Sequence, residues 1–315
     1  MSKVKVSAGN KSGWKQDIHR NWPIYAMFLP CAIFLIVLCY IPMFGIVMAF
    51  EDFEVRKGFF GSTWVGWKNF IDLFSGGEFL SALRNTVCIA LLKNTLGFVA
   101  PIVFAFLLSM LRSKKYKRTV QTFSYLPNFV AAVVVCSLMV EFFAKDGPIT
   151  MLLTKLGAEN QNWLANNKIP VFWILYVLMG IWQGIGWGSI MYVAAISTVN
   201  GDLHEAAAID GASRLQRMVK ITLPCIMPTI IMMFVTNIGL SFAAGYDSIL
   251  LLYMPSTYNV ADTVYTYTYR LAFGSGGANY GLSAASGLFQ SVVGTALLLT
   301  SNYLSKKVSD GASLF

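Results

Sequence analysis

One uncharged stretch decides the fold of this chain: Val171-Phe-Trp-Ile-Leu-Tyr-Val-Leu-Met-Gly-Ile-Trp-Gln-Gly-Ile-Gly-Trp-Gly-Ser-Ile-Met-Tyr-Val-Ala-Ala-Ile-Ser-Thr198. It contains no Asp, Glu, Lys or Arg. A helix needs about 20 apolar residues to cross a bilayer, because every backbone amide must find its partner inside the lipid. This stretch is long enough, and it therefore predicts a membrane-spanning helix.

The rest of the chain has the same character. Of its 315 residues, 56% are hydrophobic and 12% are charged, whereas soluble domains carry about 25% charged residues. This composition excludes an average soluble enzyme and also excludes disorder. Five further apolar stretches predict an all-α integral membrane protein with six transmembrane helices, within one domain over 22–304. They cover residues 22–50, 82–111, 119–144, 225–245 and 282–304.

The positive charge lies at the ends of the predicted spans. A net charge of +9 would also suit a nucleic-acid-binding protein, but such a protein needs its charges on a folded surface. Basic residues close to span ends instead indicate the cytoplasmic side. We therefore expect a cytoplasmic N-terminal segment 1–21, a cytoplasmic tail 305–315 and no nucleic-acid partner. The basic residues are Lys3, Lys5, Lys11, Lys15, Arg20, Arg112, Lys114, Lys115, Lys117, Arg118, Lys306 and Lys307.

The cysteine and histidine residues predict neither a metal site nor a disulfide framework. Four cysteines fall inside apolar stretches, where they act as small hydrophobic residues, and none has metal-ligand spacing. The chain contains two histidines, His19 and His204. We expect no metal ligands and no catalytic residues.

The polar loop 199–224 follows the uncharged stretch 171–198. It reads Asn200-Gly-Asp-Leu-His-Glu-Ala-Ala-Ala-Ile-Asp-Gly-Ala-Ser-Arg-Leu-Gln-Arg-Met-Val-Lys-Ile-Thr-Leu-Pro224. Asp202 with Glu205 predicts an N-terminal capping box, and Ser213 with Gln216 predicts a second one. Gly211 predicts a left-handed helix stop. These residues indicate two short helices around a glycine, and a helical hairpin packed under the bundle is an equally good interpretation of them.

The same loop resembles the EAA motif of ATP-binding-cassette importer permeases. The motif positions are Glu205, Ala206, Ala207, Gly211, Ile221, Leu223 and Pro224, and all stand at the family's spacing. The resemblance implies that this loop is a coupling helix that docks on an ATP-hydrolysing subunit. We expect these residues, together with Asp210, to couple the chain to that subunit.

Most of the chain is similar to the maltose-type carbohydrate permeases. Segments Tyr40–Gly45, Gln121–Pro127 and Gly287–Gly294 resemble a subgroup associated with oligosaccharide and polysaccharide uptake. The resemblance implies the type I importer permease fold, in a bacterial cytoplasmic membrane with both termini in the cytoplasm. It also implies four kinds of partner: a second homologous permease, two copies of an ATP-binding subunit, an extracytoplasmic solute-binding protein and an oligosaccharide substrate.

The sequence has no Gly-x-x-x-x-Gly-Lys-Ser/Thr phosphate loop. We therefore expect a non-catalytic transport subunit without a cofactor of its own, with ATP and Mg bound by the partner ATPase.

Polar residues at membrane depth predict a substrate path. Polar groups inside a bilayer are costly and usually face a cavity or another helix. The expected path residues are Lys93, Asn94, Trp182, Gln183, Trp187, Asn237, Tyr246 and Asp247. Interhelical hydrogen bonding is the alternative for Gln183 and Asn237. An ion pair or a snorkelling side chain is the alternative for Lys93, and packing is the alternative for the tryptophans.

Four glycines cluster in the first quoted stretch, at Gly180, Gly184, Gly186 and Gly188. They favour close approach of another backbone over a hinge.

Other functions remain as alternatives. An importer for an amino acid, phosphate or osmolyte would keep the same fold. A phosphate path would show more buried basic residues than Lys93, and a metal path would show Asp, His or Cys clusters near the midplane. A membrane-embedded enzyme would need paired carboxylates or a histidine-containing group, and only Glu141, close to a span end, approaches this. A passive channel would not need the 199–224 loop.

Overall fold

The amphipathic and apolar stretches fold as helices in the computed structural model, which describes residues 14–241, 246–274 and 277–308. Residues 1–13 and 309–315, which belong to the two expected cytoplasmic segments, lie outside the described residues. The first half of the chain contains α1 Trp14–Arg20, α2 Trp22–Leu35, α3 Ile41–Met43, β1 Glu51–Asp52, α4 Gly58–Gly61, β2 Thr63–Trp64, α5 Lys68–Ser75, α6 Gly77–Leu92, α7 Phe98–Met110, α8 Lys114–Tyr125, α9 Ala132–Phe143 and α10 Pro148–Lys155.

The second half contains α11 Val171–Ser197, α12 Gly201–Ile209, α13 Arg214–Arg217, α14 Leu223–Ser241, α15 Tyr246–Leu252, α16 Tyr258–Ala261, α17 Val264–Phe273 and α18 Tyr280–Val308. Wide π turns at Ile36–Tyr40, Lys93–Gly97 and Met218–Thr222 join consecutive helices without ending the span. The strands β1 and β2 pair antiparallel, with Glu51 opposite Trp64.

Five helical segments of the described residues are long and apolar enough to cross a membrane without interruption. They are Trp22–Phe50, Gly77–Met110, Val171–Ser197, Arg214–Ile238 and Tyr280–Tyr303. The second begins at Gly77, ahead of the predicted Ala82, because its first turn carries polar residues that hydropathy does not detect. A sixth span exists if one bent pair is counted as a single crossing, which agrees with the six predicted spans.

The bent pair is the third predicted span, which we expected to run unbroken over 119–144. Its two arms, Lys114–Phe129 and Ala132–Lys155, meet at 95°. Pro127 lacks an amide hydrogen and its ring clashes with the preceding turn, so the helix tightens into a 3₁₀ segment over Leu126–Phe129. Val130 and Ala131 are then extended, with ψ angles of 129° and 139°. Hydropathy alone does not detect such a break.

Helix α11 lies at the centre of the molecule. It packs against α6, α7, α8 and α14. Its buried residues Phe172, Trp173, Tyr176 and Val177 join the largest apolar core. The first span differs, because α2 has no buried residue. An apolar helix left exposed in this way meets lipid or another subunit.

Segment 246–281 was predicted to be a loop, and that prediction is wrong for its described residues, which form α15, α16 and α17. These short helices depend on contacts with distant parts of the chain. The buried side chain of Asn85 donates hydrogen bonds to the carbonyls of Asn259 and Asp262, at 3.0 and 2.9 Å. The indole of Trp173 donates to the carbonyl of Val260 at 2.7 Å. The segment therefore caps the end of the bundle where α11 begins.

Candidate functional site

The first of two candidate sites is the 199–224 loop, at the end of the bundle where α11 ends. Its first helix, α12, begins at Gly201 because the Asn200 side chain accepts a hydrogen bond from the Asp202 amide at 3.0 Å. The predicted cap at Asp202 is therefore wrong. Asn and Asp are equally good N-caps, and the choice between residues two apart depends on backbone angles that the sequence does not reveal. Asp202 instead places its charge in the first turn.

Gly211 ends α12 as predicted. Its φ angle is +79°. The amide of Gly211 donates to the carbonyl of Ala208 at 3.1 Å, and the amide of Ala212 donates to the carbonyl of Ala207 at 2.9 Å. This pair of bonds is a Schellman motif, which satisfies two carbonyls that a helix end leaves free. A Cβ atom added at Gly211 would meet no atom within 4 Å, so the glycine is required by its backbone angle and not by crowding.

The second helix of the loop is fixed to the first. The capping box is confirmed: the amide of Ser213 donates to the Gln216 side chain at 2.7 Å, and the amide of Gln216 donates to the Ser213 hydroxyl at 3.3 Å. Arg217 donates from Nη1 to the carbonyl of His204 at 3.1 Å. The buried hydroxyl of Thr222 lies 3.3 Å from His204 Nε2. These contacts hold α12 and α13 as one unit.

The loop presents a notch and an exposed apolar surface. A depression of about 400 Å³ is lined by Ala207, Asp210, Gly211, Ala212, Gln216, Arg217, Lys220 and Ile221. Four of the predicted coupling residues thus lie together. The other four do not line the notch: Glu205, Ala206 and Pro224 are exposed beside it, and Leu223 is half-buried. Ile209 is an apolar side chain that the described residues leave 87% exposed.

The second candidate site is a cavity of about 500 Å³ along α11. That volume lies within the range of small-molecule sites. The π turn Lys93–Gly97 and helices α7, α11, α14 and α15 form its walls, together with the break in the bent third span. Its polar lining consists of Lys93, Asn94, Asn128, Tyr176, Gln183, Trp187, Tyr192, Asn237 and Ser248.

Five of the eight predicted path residues line this cavity, and these are Lys93, Asn94, Gln183, Trp187 and Asn237. Trp182 does not line it and is 53% exposed on another face of α11. Asp247 is exposed on α15 beside the lining residue Ser248. Tyr246 begins α15, and its side chain lies outside the described part of the structure.

A wide turn places Lys93 and Asn94 at the cavity wall. The π turn Lys93–Gly97 frees carbonyls that an α-helix would use, and unsatisfied backbone is costly in a membrane. Asn94 donates to the carbonyl of Ala90 at 2.9 Å, and the Thr95 hydroxyl donates to that of Leu91 at 2.8 Å. The turn is therefore closed by its own side chains.

The side chain of Gln183 binds the main chain at the break in the third span. Its Nε2 donates to the carbonyl of Val130 at 3.1 Å. Trp187 meets Phe129 edge to face, with ring centroids 5.7 Å apart. Asn237 donates to the carbonyl of Met233 at 2.9 Å, on its own helix. The predicted alternative of interhelical hydrogen bonding is thus found for Gln183, whereas this bond of Asn237 lies within α14; both amides also line the cavity.

Gly180, Gly184 and Gly188 share one face of α11 and line the cavity, whereas Gly186 lies on the opposite face. A Cβ atom at Gly186 would overlap the carbonyl oxygen of Ser124, and one at Gly188 would come 3.1 Å from the Pro101 ring. Gly180 and Gly184 have no atom within 4 Å of that position and line the cavity. Close packing therefore explains two of them, and the other two widen the cavity.

Sequence reasoning missed four polar lining residues: Asn128, Tyr176, Tyr192 and Ser248. Asn128 had a usable signal, since it directly follows Pro127, where a break is predicted by the proline itself. The tyrosines had none, because their hydroxyls on an apolar helix are indistinguishable from packing.

A charged cluster joins helix α17 to the first turn of α6. Arg270 donates to the nearly buried Asp262 at 2.8 Å and to the exposed Glu78 at 3.1 Å. The guanidinium also lies over the Tyr258 ring, 4.6 Å from its centroid. Burial raises the pKa of Asp262, although hydrogen bonds from Thr266 and Arg270 oppose that shift. The cluster fastens α17 to the start of α6.

Across the described ranges, no three His, Cys, Asp or Glu side chains gather in a way that would hold a metal ion.

Comparisons with known proteins give one consistent result. Residues 97–310 match the family described as "Binding-protein-dependent transport system inner membrane component". The chain is 37% identical to protein LplB of Bacillus subtilis (strain 168), over 96% of this chain and 94% of that protein. It is 38% identical to the polygalacturonan/rhamnogalacturonan transport system permease protein YteP of the same organism, over 91% and 88% of the two chains.

Solved structures agree with these relatives. A chain of a bacterial ABC transporter involved in the import of the acidic polysaccharide alginate superposes with a TM-score of 0.84 and 37% identity, covering 94% of this chain and 99% of that one. The bacterial alginate ABC transporter in complex with an alginate pentasaccharide-bound periplasmic protein gives the same TM-score and identity, over 95% and 98%.

Proposed function

Because this chain belongs to the family of binding-protein-dependent transport system inner membrane components, we propose that it forms part of the sugar-conducting path of an ATP-driven importer. The observation that carries the proposal is the position of the two sites on shared helices. Helix α11 lines the cavity and leads directly into the 199–224 loop, and α14 lines the cavity and leaves that loop. A movement of the loop therefore reaches both walls of the cavity.

The loop acts as the coupling element in this proposal. The Schellman motif at Gly211 and the capping box at Ser213 make it stiff, so that it moves as one body. Its notch and the exposed Ile209 offer a surface to a partner ATPase. Glu205, Ala206, Ala207, Asp210, Gly211, Ile221, Leu223 and Pro224 are the proposed coupling residues. Closure of the ATPases would push α12 and tilt α11 against α14.

The proposed assembly contains a second homologous permease, two copies of an ATP-binding subunit and an extracytoplasmic solute-binding protein. The chain itself is a non-catalytic subunit, and ATP and Mg are bound by the partner ATPase. The loop and both termini face the cytoplasm, as the basic segments at 1–21, 112–118 and 305–315 favour. Segment 246–279 then faces outward, where the binding protein docks.

The proposed substrate is an oligosaccharide or a polysaccharide fragment. The cavity offers amides from Asn94, Asn128 and Asn237 and a ring from Trp187, which are groups that suit sugar hydroxyls and sugar faces. Two of the similar proteins are named for polysaccharide transport. The same fold could carry an amino acid, phosphate or osmolyte, and the aromatic and amide lining favours sugar over these.

Purification of the tagged chain from its native membranes tests this function. We expect a second permease and an ATP-binding subunit to purify with it. We also expect a sugar-loaded binding protein to stimulate ATP hydrolysis by the complex in lipid vesicles. A chain that purifies without an ATPase, or a complex whose hydrolysis responds to loaded amino-acid-binding or phosphate-binding protein only, would contradict the proposal.

A further inference from the structure

Lys93 is the only charged residue among the described residues that line the cavity. It is exposed, and none of the three ion pairs found in the described residues involves it. The other polar lining groups are amides, hydroxyls and an indole. The cavity therefore carries one positive charge that no carboxylate of its own wall balances.

The position of Lys93 in its span makes this charge costly. It lies 16 residues after Gly77 and 17 before Met110 in a 34-residue span. At about 1.5 Å per residue, roughly 24 Å of helix extends on either side. The four-carbon stem of a lysine is far shorter than the half-thickness of the apolar core, which is about 15 Å. A lysine near the middle of such a span is accommodated by the cavity that it lines, where water can solvate the ammonium group.

A π turn places Lys93 at the cavity wall. Lys93 opens the π turn, and wide turns of this kind shift the side chains that follow to a new face of the helix. Asn94 and Thr95 satisfy the carbonyls that the turn frees. The lysine itself takes no part in closing the turn, so its ammonium group is left for a ligand.

We propose that Lys93 binds a carboxylate of the transported sugar, so that the path selects oligosaccharides of uronic acids over neutral ones. This inference rests on the proposed function. The surrounding amides bind hydroxyls without regard to charge, and the ammonium group adds a charge-assisted hydrogen bond that only an anionic sugar can use. The selectivity would act inside the membrane, separately from that of the binding protein.

The test uses the complete transporter in vesicles with its binding protein. The sugars are tetramers of galacturonate and of mannuronate, their methyl esters, which have the same rings without the charge, and maltotetraose. The binding protein's affinity for each sugar is measured first, and initial uptake rates are compared at saturating loaded protein. The variants are Lys93→Gln, Lys93→Arg and the control Lys168→Gln, which changes an exposed lysine outside the cavity.

We expect Lys93→Gln to lower uptake of a transported uronate tetramer about tenfold and to leave uptake of its methyl ester within about twofold. Lys93→Arg and Lys168→Gln should keep the uronate rate. An equal loss for both forms of the sugar would overturn the inference and would indicate a pair between Lys93 and a carboxylate of the second permease. Uptake of maltotetraose alone by the unmodified transporter would also overturn it. Uptake of none of the sugars would contradict the proposed function, and the inference would fall with it.

Discussion

The side chain of Gln183 donates a hydrogen bond to the main-chain carbonyl of Val130, at 3.1 Å. Val130 lies where the third span breaks, and its carbonyl has left the helical ladder. The polar residue that looks costly in α11 is therefore the partner of a polar group that the break exposes. One helix supplies what the neighbouring helix lacks, which is how irregular backbone is tolerated at membrane depth.

Replacing Gln183 by Met keeps the length of the side chain and removes its donor. We expect the purified chain to lose about 1 kcal/mol of stability, since hydrogen bonds between membrane helices contribute up to about that amount. The thermal unfolding midpoint in detergent measures this, with an expected fall of about 2 °C. Trp182→Leu is the neighbouring control, and a larger fall for that variant would speak against the assigned role of Gln183.

Two glycines that stand two residues apart in α11 should respond differently to the same substitution, because they lie on opposite faces of the helix. Gly186→Ala places a methyl group against the Ser124 carbonyl, whereas Gly184→Ala meets open space. We expect Gly186→Ala to lower the yield of folded protein, because backbone on the facing segment must shift. Gly184→Ala should keep that yield, since alanine favours a helix by about 1 kcal/mol over glycine. Size-exclusion chromatography of both variants measures the difference, and equal yields would contradict it.

Gly211 should tolerate residues according to their fit to a left-handed backbone. At φ +79° asparagine is accepted far better than a β-branched residue, and no neighbour obstructs a side chain there. We expect Gly211→Asn to keep most of the sugar-stimulated ATP hydrolysis and Gly211→Val to lose it while both reach the membrane. Loss in both variants would instead indicate that the partner ATPase needs the bare glycine surface.

Substitution of Arg270 should destabilise the protein more than substitution of its exposed partner Glu78. Arg270→Met leaves the Asp262 carboxylate nearly buried without its countercharge, and breaking a buried pair costs about 3 kcal/mol. Glu78→Gln alters an exposed pair and should cost below about 1 kcal/mol. Thermal unfolding midpoints of both variants measure these costs. The double variant Arg270→Met with Asp262→Asn should recover part of the loss, and a loss as large as that of Arg270→Met alone would contradict the pairing.

The loss of folding stability in the Arg270→Met variant should also be smaller at acidic pH. Burial already raises the pKa of Asp262, and removal of the arginine raises that pKa further. A carboxyl whose pKa is raised by folding gains stability as pH falls through that pKa, because the folded state then binds the proton more tightly than the unfolded state. We expect the difference in thermal unfolding midpoint between the variant and the unmodified protein to become smaller from pH 7.5 to pH 5. A gap that widens would contradict this.

Much of the architecture was predictable because hydropathy and local capping are properties of short segments. The uncharged stretch 171–198 became α11, and Ser213 with Gln216 formed the expected box. The helices at 246–273 were not predictable, because Asn85 and Trp173 hold them from far along the chain. The coupling roles of the 199–224 residues stay predictions, as do the roles of the path residues.

The sequence by itself determined the membrane class, the apolar spans and the Gly211 stop, since lipid solvation and a left-handed turn each act on a few consecutive residues. Only the tertiary structure decided which polar side chains share a cavity. Gln183 and Trp182 are adjacent in sequence and equally near the midplane, yet Gln183 lines the cavity and Trp182 does not. That difference depends on the rotation of α11 against the break at Val130, which is fixed by contacts between segments about fifty residues apart.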